Sequence, residues 1–283
     1  VLNDAHLSDL LGTSIETVVD LCARHSWTLH RALTSDGQQI FVKTAADCAP
    51  VFAAEAAGLR WLAAETESSP VAEVLAVDDR IIVLPWLAPQ APTVDAARRF
   101  GRELATMHSR SAEFFGAGWN GYIADIPLDN TRSGQRWGQW YAERRLLPYL
   151  RIGHQHLDPA EVRLVEKIIA SIDALAGPEE PPARIHGDLW SGNLLWSAGR
   201  GVLIDPAAHA GHRETDLAML ALFGNDHLDN ILDGYTETVP LAEGWRARIP
   251  LHQLHPLLVH LVLFGGRYRR ALVRAANAAL RAG

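Results

Sequence analysis

One stretch, from Arg184 to Met219 (RIHGDLWSGNLLWSAGRGVLIDPAAHAGHRETDLAM), limits what this chain can fold into more than any other. It holds His186-Gly187-Asp188, then Asn193, then Asp205 after the short apolar run Val202-Leu203-Ile204. A phosphotransferase needs one carboxylate to orient an attacking hydroxyl and accept its proton. It also needs an amide and a second carboxylate to hold Mg²⁺ against nucleotide phosphates. Asp188, Asn193 and Asp205 stand in that order. Leu194-Leu195-Trp196 and Val202-Leu203-Ile204 flank the turn Ser197 to Gly201 and read as a hairpin, which puts Asn193 and Asp205 at one end of it.

A nucleotide site of this kind also needs a cation on the phosphates. Ile40-Phe41-Val42-Lys43 is an apolar strand closed by a lysine, preceded by the turn Ser35-Asp36-Gly37. The next periodic segment, Pro50 to Glu65, reads as a helix with proline in its first turn and with Phe52, Leu59 and Leu62 on one face. Glu55 falls on that same face. A carboxylate on a core-facing stripe needs a partner, and Lys43 is the candidate.

The remaining text suggests two lobes. Residues 15–83 read as strands around that helix, beginning with Ile15 to Val19 and Thr28 to Leu33. The buried strand Ile81 to Leu84 stops at Pro85, and Pro85 to Pro92 carries three prolines, as a stiff hinge would. Beyond it the chain reads as mainly helical. Helices are expected over Asp95 to Arg110, over Trp137 to Arg151, from the Asp158-Pro159-Ala160-Glu161 start to Gly177, and over Leu217 to Phe223. From Leu251 on, a helical stretch is broken at Gly265-Gly266. The expected division is a nucleotide-binding lobe over 1–86, a hinge over 87–93 and a catalytic and substrate-binding lobe over 94–283. His108 reads as a core-edge histidine. Asp216 reads as a carboxylate pinning the catalytic loop, as a helix cap, or as both.

Composition narrows the function classes. The 283 residues are 48% hydrophobic and 21% charged, ordinary for a folded protein with a sizeable core. A formal net charge of −7 and the lack of any Lys/Arg run argue against nucleic acid as a partner. Leu257 to Gly266 is too short to span a bilayer, no secretory signal is visible, and cytoplasm is the default expectation. Cys22 and Cys48 are the only cysteines and show no metal or disulfide spacing. His252, His255 and His260 are not expected to bind metal, because Pro256 interrupts their register and no acidic residue is near in sequence.

These motifs together resemble the fructosamine kinase (ketosamine kinase) family, relatives of the aminoglycoside and choline phosphotransferases with a protein-kinase-like fold. The resemblance runs from about Gly37 onward and rests on several segments. They are FVK ending at Lys43, EAAGL from Glu55, YAERRLLPYL from Tyr141, HGDLWSGN from His186, DPAAHAGHRETDLAMLALFG from Asp205, and HQLHPLLVHLVLFGGRY from His252. Trp190 within HGDLWSGN and the GHRE segment point to this family rather than to the wider superfamily.

The resemblance implies an α+β bilobal kinase that uses ATP and Mg²⁺ to phosphorylate the sugar of a ketosamine. Asp188 is then the base, Asn193 and Asp205 the metal ligands, and Lys43 and Glu55 the phosphate-orienting pair. Pro85 and Trp86 are expected at the nucleotide, with Trp190, His260, His209 and Glu214 on the sugar side. One departure stands out: the family's glycine pair in the loop between its first two strands is replaced by Cys22-Ala23-Arg24-His25-Ser26-Trp27. Cys22 is near the position of a redox-sensitive loop cysteine but does not align with it. An aminoglycoside- or choline-type kinase and a nucleotide-binding pseudokinase are the alternative readings.

Overall fold

The computed structural model describes residues 2–24, 27–47, 49–64 and 69–282. The chain opens with helix α1 (Asp4–Leu11), capped by the Asn3 side chain, and continues into β1 (Ile15–Arg24), β2 (Trp27–Thr34) and β3 (Gln39–Ala45). Helix α2 (Pro50–Ala63) then crosses to β4 (Ala76–Val77) and β5 (Ile81–Pro85). The five strands form one antiparallel sheet in the order β1-β2-β3-β5-β4. Alternation sorts the residues of β3 onto two faces. Ile40 and Val42 join Leu7 in the core beneath α1, while Phe41 and Lys43 turn toward the opposite side.

β1 continues five residues past its expected end at Val19 and stays paired with β2 as far as Arg24 opposite Trp27. His25 and Ser26, the centre of the loop that lacks the glycine pair, lie outside the described residues, as do Cys48 and Glu65. Cys22, within β1, is exposed.

After residues 86–93 the chain is mostly helical: α3 (Val94–His108), the small hairpin β6 (Gly121–Ile123) and β7 (Ile126–Leu128), α4 (Trp137–Tyr141), α5 (Leu147–Gly153), α6 (Pro159–Ala170) and α7 (Ile172–Leu175). Residues 183–211 supply β8 (Ala183–Ile185), β9 (Leu194–Ser197), β10 (Arg200–Leu203) and β11 (His209–Gly211). Helices α8 (Glu214–Leu222), α9 (Leu228–Thr238), α10 (Trp245–His252), α11 (Leu254–Phe264) and α12 (Arg269–Ala282) complete it. Among the described residues no helix is long and apolar enough to cross a membrane.

Several boundaries differ from expectation for identifiable reasons. The single helix expected from Trp137 to Arg151 is interrupted by a π-turn over Ala142–Leu146. Pro148 lies just beyond; it has no N–H to give and its ring crowds the carbonyl one turn back. The helix expected to reach Gly177 bends at Ser171, between α6 and α7. Its start follows the expectation, with a full capping box between Asp158 and Glu161. α8 begins at Glu214, three residues before the expected Leu217, so Asp216 lies in its first turn rather than at its cap.

Two cores support the site. Trp140, Leu146, Leu150, Leu257 and Leu258 belong to a cluster built from α4 to α7 and α10 to α12. Phe100, Leu104, Leu189, Leu203 and Leu217 belong to a second cluster that places α3 and α8 behind the β9–β10 hairpin. Ala72 N–H donates to the Leu203 carbonyl and Leu203 N–H to that of Pro70, so the segment between α2 and β4 is fastened to this hairpin.

Candidate active site

Lys43 closes the central part of β3, and α2 packs across the same face, so Glu55 meets it as its helical position implies. Lys43 Nζ donates to Glu55 Oε2 at 2.8 Å and also to Asp205 Oδ1. Both Lys43 and Glu55 are buried, whereas the Asp205 carboxylate is open to the cleft. Burial disfavours the Lys43 ammonium, but the charges of Glu55 and Asp205 outweigh it and hold its pKa above the ordinary value. Asp205 itself has φ +52°, a left-handed conformation that aspartate tolerates better than most residues.

The catalytic loop is held by bonds running in several directions. Asp216, fully buried, accepts from the backbone N–H of His186 at 2.7 Å and of Gly187 at 2.9 Å. His108 braces it: its Nε2 is 3.1 Å from Asp216 and its Nδ1 2.9 Å from the Tyr235 hydroxyl. Of the two readings of Asp216, pinning the loop is therefore the one the geometry fits. His186 Nε2 donates to the Ile204 carbonyl at 2.9 Å, which leaves its Nδ1 to accept from Asp188 N–H at 3.3 Å. The histidine thereby couples the backbone at Asp188 to the residue before Asp205. Gly187 has φ +79°, and a Cβ there would come within 2.4 Å of the Ala207 carbonyl oxygen.

Asn193 ties the Asp188 carboxylate to the loop backbone. Its Nδ2 donates to the Asp188 carbonyl oxygen at 2.9 Å and to Asp188 Oδ2 at 3.0 Å. Its Oδ1 has no protein partner among the described residues. The β9–β10 hairpin turns at Ala198-Gly199, both with positive φ, and its open end brings Ile204 N–H to the Asn193 carbonyl at 3.1 Å. Burial, reinforced by the charge of Asp205 and opposed by the Asn193 hydrogen bond, pushes Asp188 up to about 7.

Lys43, Glu55, Asp188, Trp190, Asn193 and Asp205 all line one cavity of about 600 Å³. An apolar pocket of about 220 Å³ opens beside it and shares Phe41, Leu195, Ile204 and Asp205 with it; Pro85 and Trp86 form part of its wall. A flat apolar slot running into a cluster of hard oxygen donors suits a nucleotide, base in the slot and phosphates toward Lys43. The free Asn193 Oδ1 and the cleft-facing Asp205 carboxylate are donors of the type Mg²⁺ takes.

Three other assigned positions do not line the cleft. Glu214 is buried beside α10, where Arg248 Nε and Nη2 grip its two oxygens at 2.9 and 2.6 Å. Arg248 and the neighbouring His252 overcome the cost of burial and hold it down to about 2. His209 is likewise buried behind the loop, bonded to the Ala207 carbonyl at 2.9 Å and packed on Trp140; burial takes it down to about 3. His260 is half-buried on α11 and reaches Trp190 only through Phe223. No carboxylate is near His252 in sequence, yet the fold brings Glu214 to 3.3 Å from it. His212, Glu214 and His252 have ligand atoms within 4.8 Å of one another, but the Arg248 guanidinium already occupies both Glu214 oxygens.

Sequence reasoning missed the hairpin β6–β7, whose Tyr122, Ile123 and Ala124 form another wall of the cleft. Its two-residue turn is Ala124-Asp125, with Ala124 at φ +52°. None of the Gly or Asn signals that mark such turns is present there. The pairing Gly121-Tyr122-Ile123 with Ile126-Pro127-Leu128 was the one available clue.

Comparison with known proteins identifies the family. The sequence model of the fructosamine kinase family matches residues 4–282, extending the resemblance to α1 and β1. A probable ketoamine kinase of Klebsiella aerogenes is 32% identical over 255 residues, covering 86% of each chain. The crystal structure of a Thermobifida fusca protein, provisionally designated a fructosamine-3-kinase, is 53% identical and covers 98% of each chain with a TM-score of 0.94. A thermostable mutant of the aminoglycoside phosphotransferase APH(4)-Ia, in a ternary complex with ADP and hygromycin B, is only 15% identical. It aligns over 99% of this chain and 98% of its own with a TM-score of 0.65, a likeness of fold. The fold is thus that of the kinase-like phosphotransferases, and the chain belongs to the fructosamine kinase family, phosphotransferases with an alcohol group as acceptor.

Proposed function

We propose that this protein is an ATP-dependent ketosamine kinase that phosphorylates a sugar hydroxyl of fructosyl- or ribulosyl-amines, a reaction suited to repair of glycated amines. The observation that carries this reading is the shared cavity. Asp188, fixed by Asn193, faces the same space as the Lys43–Glu55–Asp205 charges, with Trp190 beside it. Lys43 is placed to contact the nucleotide phosphates, with Glu55 keeping its ammonium in position. Asn193 Oδ1 and Asp205 would hold Mg²⁺, which when bound offsets phosphate charge. Asp188 orients the acceptor hydroxyl and takes its proton; a carboxylate raised to about 7 is a stronger base than an ordinary one.

The acceptor side favours a sugar. Tyr122, Ile123, Ala124 and Trp190 line it, and an indole offers a flat face to sugar C–H groups with one N–H donor. Polycationic acceptors are met by extra carboxylates. Here Asp188, Asp205 and Glu55 are the carboxylates lining the cavity, and each already has a role in phosphoryl transfer.

The test is ADP release against a panel of fructosyl amines, ribulosyl amines, kanamycin and choline at saturating MgATP. A ketosamine should be the fastest substrate. Faster phosphorylation of kanamycin or choline would replace the substrate assignment, and no turnover of any acceptor with MgATP bound would favour a pseudokinase.

A further inference from the structure

Among the large apolar side chains that the fold leaves exposed, Trp190, Phe223 and Phe264 are 37, 38 and 42% accessible. They come from different parts of the chain, yet they join one surface. Trp190 stands in the catalytic loop, Phe223 directly follows α8, and His260 and Phe264 are one turn apart on α11. Tyr268 ends the short 3₁₀ turn after it. Trp190 meets Phe223 edge to face at 6.2 Å between ring centroids. Phe223 packs on His260 at 4.9 Å, and His260 on Tyr268 at 4.7 Å and on Phe264 at 5.5 Å. Leaving this much aromatic area in water forgoes the stabilisation that burial gives, and a contiguous exposed patch marks a place where something binds.

The ridge is continuous with the cleft. Trp190 lines the cavity beside Asp188, and its indole lies over Gly192, where a Cβ would come within 2.2 Å of the ring. A molecule with its hydroxyl at Asp188 and a tail pointing out past Trp190 would lay that tail along Phe223 toward Phe264. His260 adds an acceptor to the ridge. His260 Nδ1 is 2.7 Å from the Pro256 carbonyl, which can only accept, so Nδ1 bears the hydrogen and Nε2 keeps its lone pair. Burial lowers the pKa of His260, which favours that neutral form.

We propose that the part of the aromatic ridge beyond Trp190, formed by Phe223, His260, Phe264 and Tyr268, seats the nitrogen substituent of the acceptor and selects ketosamines whose amine carries an apolar chain or ring. This rests on the ketosamine reading of the cleft. A ketosamine nitrogen, protonated near neutral pH, lies only a few bonds from the sugar hydroxyls. Its charge is attracted to aromatic faces, and its substituent gains by covering them.

The experiment compares kcat/KM for N-methyl, N-butyl and N-benzyl fructosyl amines in the wild type, Phe264→Ala and Phe223→Ala. In the wild type kcat/KM should rise on the order of tenfold from methyl to benzyl. Phe264→Ala, at the far end of the ridge from Asp188, should cut the benzyl value about fivefold and the methyl value less than about twofold. Phe223→Ala should flatten the series further. A flat series in the wild type, with ketosamines still the best substrates, overturns the ridge but not the ketosamine reading. So does a steep series that both variants leave unchanged. Should the wild type sediment as a dimer that Phe264→Ala dissociates, with the methyl-to-benzyl ratio unaffected, the ridge is a face between copies and the proposal fails. Turnover of kanamycin or choline without any ketosamine overturns the ketosamine reading itself.

Discussion

Two buried ion pairs in this molecule use the same chemistry for opposite ends. Lys43–Glu55, in the sheet lobe, leaves Glu55 Oε1 without a hydrogen-bond partner, and the lysine also reaches the cleft-facing Asp205. Arg248–Glu214, below the catalytic loop, is a fork on a fork: both carboxylate oxygens are gripped, and Arg248 Nη1 also donates to the Glu243 carbonyl at 3.0 Å. A lysine is a compact charge on a flexible stem, whereas guanidinium fixes its partner's orientation. On the proposed function, the first pair would exchange Asp205 for phosphate when a nucleotide arrives. The second can only stay or break. The contrast separates a pair proposed to serve the chemistry from one that holds the structure beside it.

The largest expected effect comes from breaking the fixed pair. Arg248→Met leaves a buried Glu214 charge unpaired and should cost about 3–5 kcal/mol of stability. The melting temperature should fall by on the order of 10 °C, while protein that remains folded keeps a near-normal KM for ATP. Unchanged melting would mean that the fork carries no structural load. Lys43→Met should give the reverse pattern, with turnover reduced by roughly 10²-fold and thermal unfolding moved far less. A loss of stability equal to that of Arg248→Met would erase the distinction between the pairs.

A smaller effect follows from acid. His209 is held down to about 3, and His212 and His255 well below their ordinary value, all chiefly by burial. Their folded-state pKa values lie below the unfolded value of about 6.5, so the unfolded chain takes up protons first. The stability tied to their neutral forms is complete above that pH and is lost progressively as pH falls toward 3. Asp188, raised to about 7, acts in the opposite sense, because its protonation favours the folded state as pH falls. The histidines are therefore read from the difference between wild type and variant: from pH 7 to pH 5 the denaturant midpoint of His209→Gln or His212→Gln should fall less, or rise more, than that of the wild type. Identical pH profiles for wild type and both variants would contradict the assignment.

The same contrast explains what was legible in the sequence. Asp188, Asn193 and Asp205 lie in one short stretch, and a hairpin brings them together whatever the rest of the chain does. Glu55 could be assigned to Lys43 because helical period placed it on the buried face. Glu214 shares a motif-rich segment with these residues, but its destination depends on Arg248, 34 positions later, and on how α8 packs against α10. Nothing local encodes that, and the carboxylate was expected at the sugar. His209 misled for the same reason. Its neighbour Ala207 lines the cleft, while the next turn of the chain carries the imidazole behind the loop. The β6–β7 hairpin escaped because alanine occupies the left-handed position that glycine or asparagine would have advertised. The π-turn at Ala142–Leu146 depends on Pro148, whose consequence was visible in principle but was outweighed by the continuous aromatic stripe of Trp137, Trp140 and Tyr141.

The central claim is that Asp188 activates a sugar hydroxyl in the cleft assembled by Lys43, Glu55, Asn193 and Asp205. ³¹P NMR of reactions containing MgATP and an N-butyl fructosyl amine tests it most directly, with wild type and Asp188→Asn at equal folded concentration. The wild type should convert ATP phosphate into a new phosphomonoester resonance on the sugar, and Asp188→Asn should form it at least roughly 10²-fold more slowly while binding MgATP as before. A phosphomonoester that accumulates at the wild-type rate in the Asp188→Asn reaction would contradict the account.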